Sequence, residues 1–296
     1  MKKALVLSGG GARGAFQVGV WKYLHEINWT PDLICGTSIG AINAAAIGSG
    51  MSVERLIHIW KTHNRSAIYR LKALNFLKAV LSGKAFTSML DTTPLRTMLT
   101  RHLNIEALRQ SPIDIIISAV DLSSGRLHLY DQTVIGVDHL MASSAMPILF
   151  PWQPIRGDLY WDGGVMANSP LFIALERKVE EIIVVLLSPV GQRALPPPVT
   201  LLDGLERVFE HFLIGSYQTT MPLLNGQPAR KPDGPPPIAP LGQNVAQNSA
   251  QPKLSVVAPT QMLGFASLLN FSARQVNRLI KDGYHNARRQ LVPFFG

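Results

Sequence analysis

The chain has one cysteine, Cys35, in 296 residues. A lone cysteine excludes an internal disulfide and a cysteine-built zinc cluster. The eight histidines show no metal-ligand spacing and no H-E-x-x-H pattern, and no calcium-loop pattern is present. Long apolar runs are missing too: Ile115–Ile117 and Ile182–Leu187 are far too short to cross a bilayer. Lys2 and Lys3 precede only Ala4-Leu5-Val6-Leu7 before glycines begin, which is too little for a signal-peptide core. Without disulfides or such a signal, the expected location is the cytoplasm. No internal repeat appears. Acid is scarce: 19 Asp and Glu against 28 Lys and Arg leave a net charge of +9.

The basic excess has a pattern. Lys61, Arg65, Arg70, Lys72, Lys78 and Lys84 lie in a stretch with no acid between Glu54 and Asp91, interleaved with apolar residues. Three readings fit the 61–84 stretch: a lid, a contact with an anionic membrane, or a solvated face. A second basic set, Arg274, Arg278, Lys281, Arg288 and Arg289, lies in a C-terminal helical pattern. Aromatic platforms and zinc knuckles are absent, so nucleic acid is not an expected partner.

With 47% hydrophobic residues and this length, a large core is affordable. Strands are expected near 3–8, 32–37, 114–121, 126–131, 148–155, 158–162, 181–188 and 254–258. Helices are expected near 13–27, 39–48, 52–63, 67–82, 93–102, 137–144, 169–179, 200–221 and 267–291. This alternation implies an α/β three-layer sandwich with a mainly parallel central sheet and helices on both faces. Within a single domain 1–296, residues 52–110 read as a helical cap. Residues 225–253, rich in Pro, Gly, Gln and Asn, read as a flexible linker, and 254–296 as a strand and basic helix.

Chemistry enters at Gly36-Thr37-Ser38-Ile39-Gly40, directly after the apolar Leu33-Ile34-Cys35. A strand that turns sharply into a helix strains its corner residue and exposes that side chain at the sheet's end. The glycines at minus two and plus two let the two elements cross. Ser38 is therefore a candidate nucleophile. A glycine loop, Gly9-Gly10-Gly11-Ala12-Arg13-Gly14, follows the first strand. Gly9, Gly11 and Gly14 match G-x-G-x-x-G, but a dinucleotide site wants an acid after the second strand, and Asp32 comes before it. The loop reads better as an oxyanion hole, and no cofactor is expected. Arg13 fits either an anion-binding role or a structural ion pair. Asp162-Gly163-Gly164, after Leu159-Tyr160-Trp161, places an aspartate at a strand end. Met146, Phe150, Trp152 and Trp161 suit either an acyl pocket or plain core.

Together these motifs resemble the patatin-like phospholipases, over roughly residues 1–190. Ala142-Ser143-Ser144-Ala145-Met146-Pro147 and Asn168-Ser169-Pro170 match the family as well. The resemblance implies a serine–aspartate dyad hydrolysing lipid acyl esters, with no histidine in the catalytic set. Carried over, Ser38 is the nucleophile and Asp162 the base. Gly9, Gly10 and Gly11 are the oxyanion donors, and Arg13, Gly14, Gly36, Gly40, Gly163 and Gly164 support the motifs. The expected partner is a lipid, with peripheral contact to an anionic membrane. Three alternatives stay open: a transacylase using the same dyad, a silent lipid-binding protein, and a histidine triad through His211 or His285. The early position of the elbow, after only two strands, argues against the triad.

Overall fold

The computed structural model describes residues 1–72, 88–190, 197–224 and 251–295. Its sheet has ten short strands to draw on, and eight join one sheet among the described residues. They are β1 (Lys3–Leu7), β2 (Leu33–Thr37), β5 (Asp114–Asp121), β6 (Leu127–Asp131), β7 (Gln153–Ile155), β8 (Asp158–Asp162), β9 (Glu181–Val185) and β10 (Lys253–Val257). The order is β10-β9-β1-β2-β5-β8-β7, with β6 also on β5. The pairs from β10 to β5 are parallel; β6, β7 and β8 are joined antiparallel. β3 (Arg70–Leu71) and β4 (Leu90–Asp91) form a separate two-residue antiparallel pair.

Strand periodicity sorts the core into two layers. Leu5, Leu7, Ile34, Ile115, Ile117, Ile183 and Val185 face α1 (Ala15–Glu26), α2 (Ile39–Gly48), α3 (Val53–Thr62) and the helix Ala273–Gln290. Ala4, Val6, Leu33, Cys35, Ile116, Ile182 and Val184 face the helices Leu171–Glu176 and Leu201–Leu224. Helices thus cover both faces, as the alternation implied. Cys35 is fully buried in the second layer, and burial pushes its thiol pKa up, so it acts as a small hydrophobe. Helix α1 and the helix Ala273–Gln290 touch backbone to backbone. A Cβ on Gly19 would strike the Ile280 carbonyl, and one on Gly283 the Phe16 carbonyl.

Several expected elements are shorter than their apolar runs. The strand expected over 148–155 is reduced to β7, because Pro147 and Pro151 flank a turn in which Ile148 has φ 71°. The helix expected over 169–179 shortens to Leu171–Glu176, starting after Pro170, which lacks an N–H, and a separate helical turn, Gly164–Ala167, precedes it. That expected over 267–291 becomes a 3-10 turn, Phe265–Leu268, and a helix that starts only after Ser272 caps it. Arg65–Ala67 is a 3-10 turn leading to β3, while the rest of the 67–82 helix lies outside the described residues. So do Lys78, Lys84 and nearly all of the 225–253 linker. Lys61, Arg65, Arg70 and Lys72 are exposed.

Candidate active site

The parallel register brings the glycine loop and Ser38 together. Leu7 of β1 pairs with Gly36 of β2, so both strands end side by side. Ser38 has φ 57° and ψ −125°, a conformation that costs a non-glycine residue about 1–3 kcal/mol. The turn is possible only because its neighbours lack side chains. A Cβ on Gly36 would lie 2.5 Å from the Gly40 carbonyl oxygen, and one on Gly40 would strike the Leu7 carbonyl.

Asp162 stands at a strand end, as expected. Its strand, β8, is antiparallel, so its carboxyl end points opposite to those of β1 and β2. It reaches the site because β8 pairs only with the tip of β5: Asp162 is level with Ala119, and Ser118 is level with Thr37. Two contacts weld this seam. The Thr37 and Ser118 hydroxyls are 2.8 Å apart, and the Thr37 hydroxyl donates to the Ala167 carbonyl at 3.0 Å. A Cβ on Gly163 would enter the Ser118 backbone, which explains the first glycine after the aspartate.

Asp162 is 2% exposed. Its Oδ1 accepts the Gly164 N–H at 2.7 Å, and its Oδ2 is buried with no hydrogen-bond partner. Burial pushes its pKa up from 3.8 to about 7, against the opposing pull of the Ser38 hydroxyl and the Gly164 amide. The Ser38 hydroxyl is thus near enough to act on the carboxylate, yet short of an ordinary hydrogen bond, as is common before substrate binds. No histidine bonds to Ser38 or Asp162 among the described residues. His211 and His285 are exposed on helices.

The expected oxyanion set needs revision at Gly9. Its N–H donates to the Asn168 carbonyl at 3.0 Å and so is already spent. No acceptor among the described residues takes the Gly10 or Gly11 N–H, and both glycines have positive φ, 153° and 55°. These two amides, with the N-terminus of α2, are the donors left free. Arg13 is fully buried. It donates to Glu210 (2.6 Å), Ser267 (2.7 Å), Ser188 (2.9 Å) and the Leu187 and Gly264 carbonyls. Its role is the structural one. Gly14 makes room for Ile39 and Trp60, and Gly164 donates to Asp162.

Three further residues had no role assigned to them above. The Ser143 hydroxyl accepts the Ser38 N–H at 3.0 Å, and two residues later the Ala145 carbonyl accepts the Asp162 N–H at 3.0 Å. The Ala142–Pro147 stretch therefore spaces Ser38 from Asp162. Asn168 donates to the Gly9 carbonyl (3.3 Å) and the Leu213 carbonyl (2.8 Å), pinning the glycine loop. Glu210 neutralises Arg13.

Ser38 and Gly11 open into a cavity of about 980 Å³ including its mouth. Its lining is almost wholly apolar: α2, α3, the helix Thr93–His102 and the 268–271 turn supply it. Met146 and Phe150 belong to this wall, whereas Trp152 and Trp161 are half-buried outside it. Both described helices of the expected cap that stand over the site, α3 and Thr93–His102, contribute.

A protein-family model described as patatin-like phospholipase matches residues 5–175. The chain is 26% identical over 181 residues to a cGAMP-activated phospholipase of Pseudomonas aeruginosa, covering 56% of this chain and 53% of that protein. It is 29% identical over 199 residues to a protein of the same description from Escherichia coli, covering 58% and 54%. The chain spans about half the length of these curated relatives. Similarity to the patatin-like phospholipase domain-containing protein 7 of Rattus norvegicus is 30% over 187 residues, 62% of this chain and 13% of that one. Among solved structures, VipD from Legionella pneumophila matches at 15% identity with a TM-score of 0.48, covering 98% of this chain and 66% of that one.

Proposed function

Because the chain belongs to the patatin-like phospholipase family, we propose that it is a serine acyl hydrolase of lipid carboxylic esters, with Ser38 as nucleophile and Asp162 as base. The observation that carries this reading is the buried, half-unpaired Asp162 beside a strained Ser38 at the end of an apolar cavity. An ordinary aspartate, with a pKa of about 3.9, is a feeble base for a hydroxyl. A carboxylate raised to about 7 is ionised at mildly alkaline pH and holds a proton far better.

The steps follow from that poise. Asp162 takes the Ser38 proton as the oxygen attacks the ester carbonyl. The negative charge that develops on the carbonyl oxygen is received by the Gly10 and Gly11 N–H groups and the α2 N-terminus. Collapse expels the alcohol, which takes the proton back from Asp162, and leaves the acyl group on Ser38. Water then repeats the sequence to release the fatty acid. The apolar cavity suits the acyl chain.

The substrate is a lipid, so the protein must meet a lipid surface. No helix among the described residues is long and apolar enough to cross a membrane. The exposed Arg274, Arg278, Lys281, Arg288 and Arg289 support peripheral contact with anionic lipid.

The test is turnover of a short p-nitrophenyl ester by wild type and Ser38→Ala, with a fluorophosphonate label located by mass spectrometry. Loss of turnover in the variant, with the label on Ser38 in wild type, is the expected result. Absence of both turnover and label, with anionic vesicles present, would sink the reading in favour of a silent lipid-binding protein.

A further inference from the structure

Two histidines, His63 and His102, stand in the mostly apolar cavity wall. Their Nε2 atoms are 3.2 Å apart, and their rings meet edge to face with centroids 4.9 Å apart. The neighbours fix the protons. His63 Nδ1 is 2.9 Å from the Ile59 carbonyl, which only accepts, so Nδ1 carries the proton and Nε2 is bare. His102 Nδ1 is 3.1 Å from Arg55 Nη2, which only donates, so here Nδ1 is bare and Nε2 carries the proton. His102 therefore donates to His63, and all four ring nitrogens are satisfied with both rings neutral. Burial, then His63, Arg55, Arg101 and His58, hold the His102 pKa down, which agrees with the neutral pair. What the pair leaves for the cavity is ring carbon.

The pair sits at the end away from Ser38. The lining follows α2 from Ile39 through Ile42 and Asn43 to Ala46, which at 1.5 Å per residue is about 12 Å from Ser38. Met51 continues the lining on that side. The helix Thr93–His102 runs the same way. Its start is held near the Ser38 side, where Leu95 N–H donates to Ile68 and Leu90 N–H to Leu149, next to Phe150. Its end, with His102 and Leu103, leads into Ile105–Arg109, whose Leu108 would touch a Cβ on Gly48 at the end of α2.

We propose that the hydrogen-bonded His63–His102 pair is the end wall of the acyl cavity and sets the longest acyl chain the site admits. The inference rests on the acyl-hydrolase reading above. A longer chain would have to part the two rings and break the hydrogen bond between them, a loss an apolar chain end does nothing to replace.

The experiment is a chain-length series of p-nitrophenyl esters, acetate to palmitate, on wild type, His102→Ala, His102→Phe and His63→Ala. Folding is checked by circular dichroism, and Ser38 is labelled with a small fluorophosphonate. Wild-type kcat/KM should climb with chain length and then break. His102→Ala should move the break to longer chains and raise the long-to-short kcat/KM ratio roughly ten-fold, mainly through KM. His102→Phe, which refills the volume, should not lengthen the admitted chain. His63→Ala removes ring and bond from the other side, so it reads the wall even if His102→Ala does not fold; it too should move the break outward. A break that stays put in the folded variants, or moves equally in His102→Phe, overturns the proposal while labelled Ser38 leaves the hydrolase reading standing. Absence of both label and short-ester turnover in wild type would overturn both.

Discussion

Replacing Asp162 with asparagine should stabilise the protein while silencing it, and the stabilisation should depend on pH. The unfolded chain titrates this carboxyl near 3.8, the folded protein near 7. The folded state therefore holds the proton longer, and the ionised carboxylate is the form that fits the fold badly. This group disfavours folding by nothing below pH 3.8, by an amount that grows through the window, and fully above pH 7. A window of about 3 pH units corresponds to about 4 kcal/mol at 1.36 kcal/mol per unit. Asparagine keeps the shape and the Gly164 contact but has no charge to lose. Between pH 5 and pH 8 only the stretch from 5 to 7 changes the wild type. The stability gap between Asp162→Asn and wild type should thus widen by about 2.7 kcal/mol over that range. Urea unfolding of both proteins at both pH values measures it, and the double difference cancels the other titrating groups. Wild-type esterase turnover should rise with pH through about 7, where Asp162 becomes the free base, and Asp162→Asn should show none of that rise. A gap that is equal at the two pH values would refute the reasoning, since it would mean the fold does not perturb this carboxyl.

Three other substitutions address the supports. Ser143→Ala removes the acceptor of the Ser38 N–H; kcat should fall roughly five- to ten-fold with little change in KM, read by steady-state kinetics. Glu210→Ala leaves the buried Arg13 guanidinium unpaired and should cost about 3–5 kcal/mol in urea unfolding, while Glu210→Gln should cost less. Gly40→Ala drives a methyl into the Leu7 carbonyl, so fluorophosphonate labelling of Ser38 should be lost although both Ser38 and Asp162 are intact.

What could be read from the chain was local. Ser38 was legible because a strand, a strained corner and a helix demand glycines at fixed offsets, and its φ of 57° is that strain. The mostly parallel sheet followed from the order of apolar runs. Boundaries were less legible where proline or a bend interrupts an apolar run, as at Pro147, Pro151 and Pro170. Long-range partners were not legible at all. A buried Arg13 demands an acid, but nothing local singles out Glu210, 197 positions on. The antiparallel direction of β8 and the spent amide of Gly9 depend on pairings that only the assembled sheet defines. Ser143 lay inside a recognised stretch, yet its hydroxyl has meaning only once Ser38 is beside it.

The wiring of Arg13 also orders events in time. Its guanidinium belongs to the glycine loop behind β1, while its partners Glu210, Gly264 and Ser267 lie 197, 251 and 254 positions further along the chain. Until residue 267 has left the ribosome, the glycine loop carries a cation it cannot bury, so the loop stays hydrated and its amides have no fixed aim. Contacts of such separation close last and slowly. A nascent or truncated chain that lacks residue 267 therefore holds both Ser38 and Asp162 while the glycine loop beside them is still unset, so the site is completed only after its two key residues are already in place.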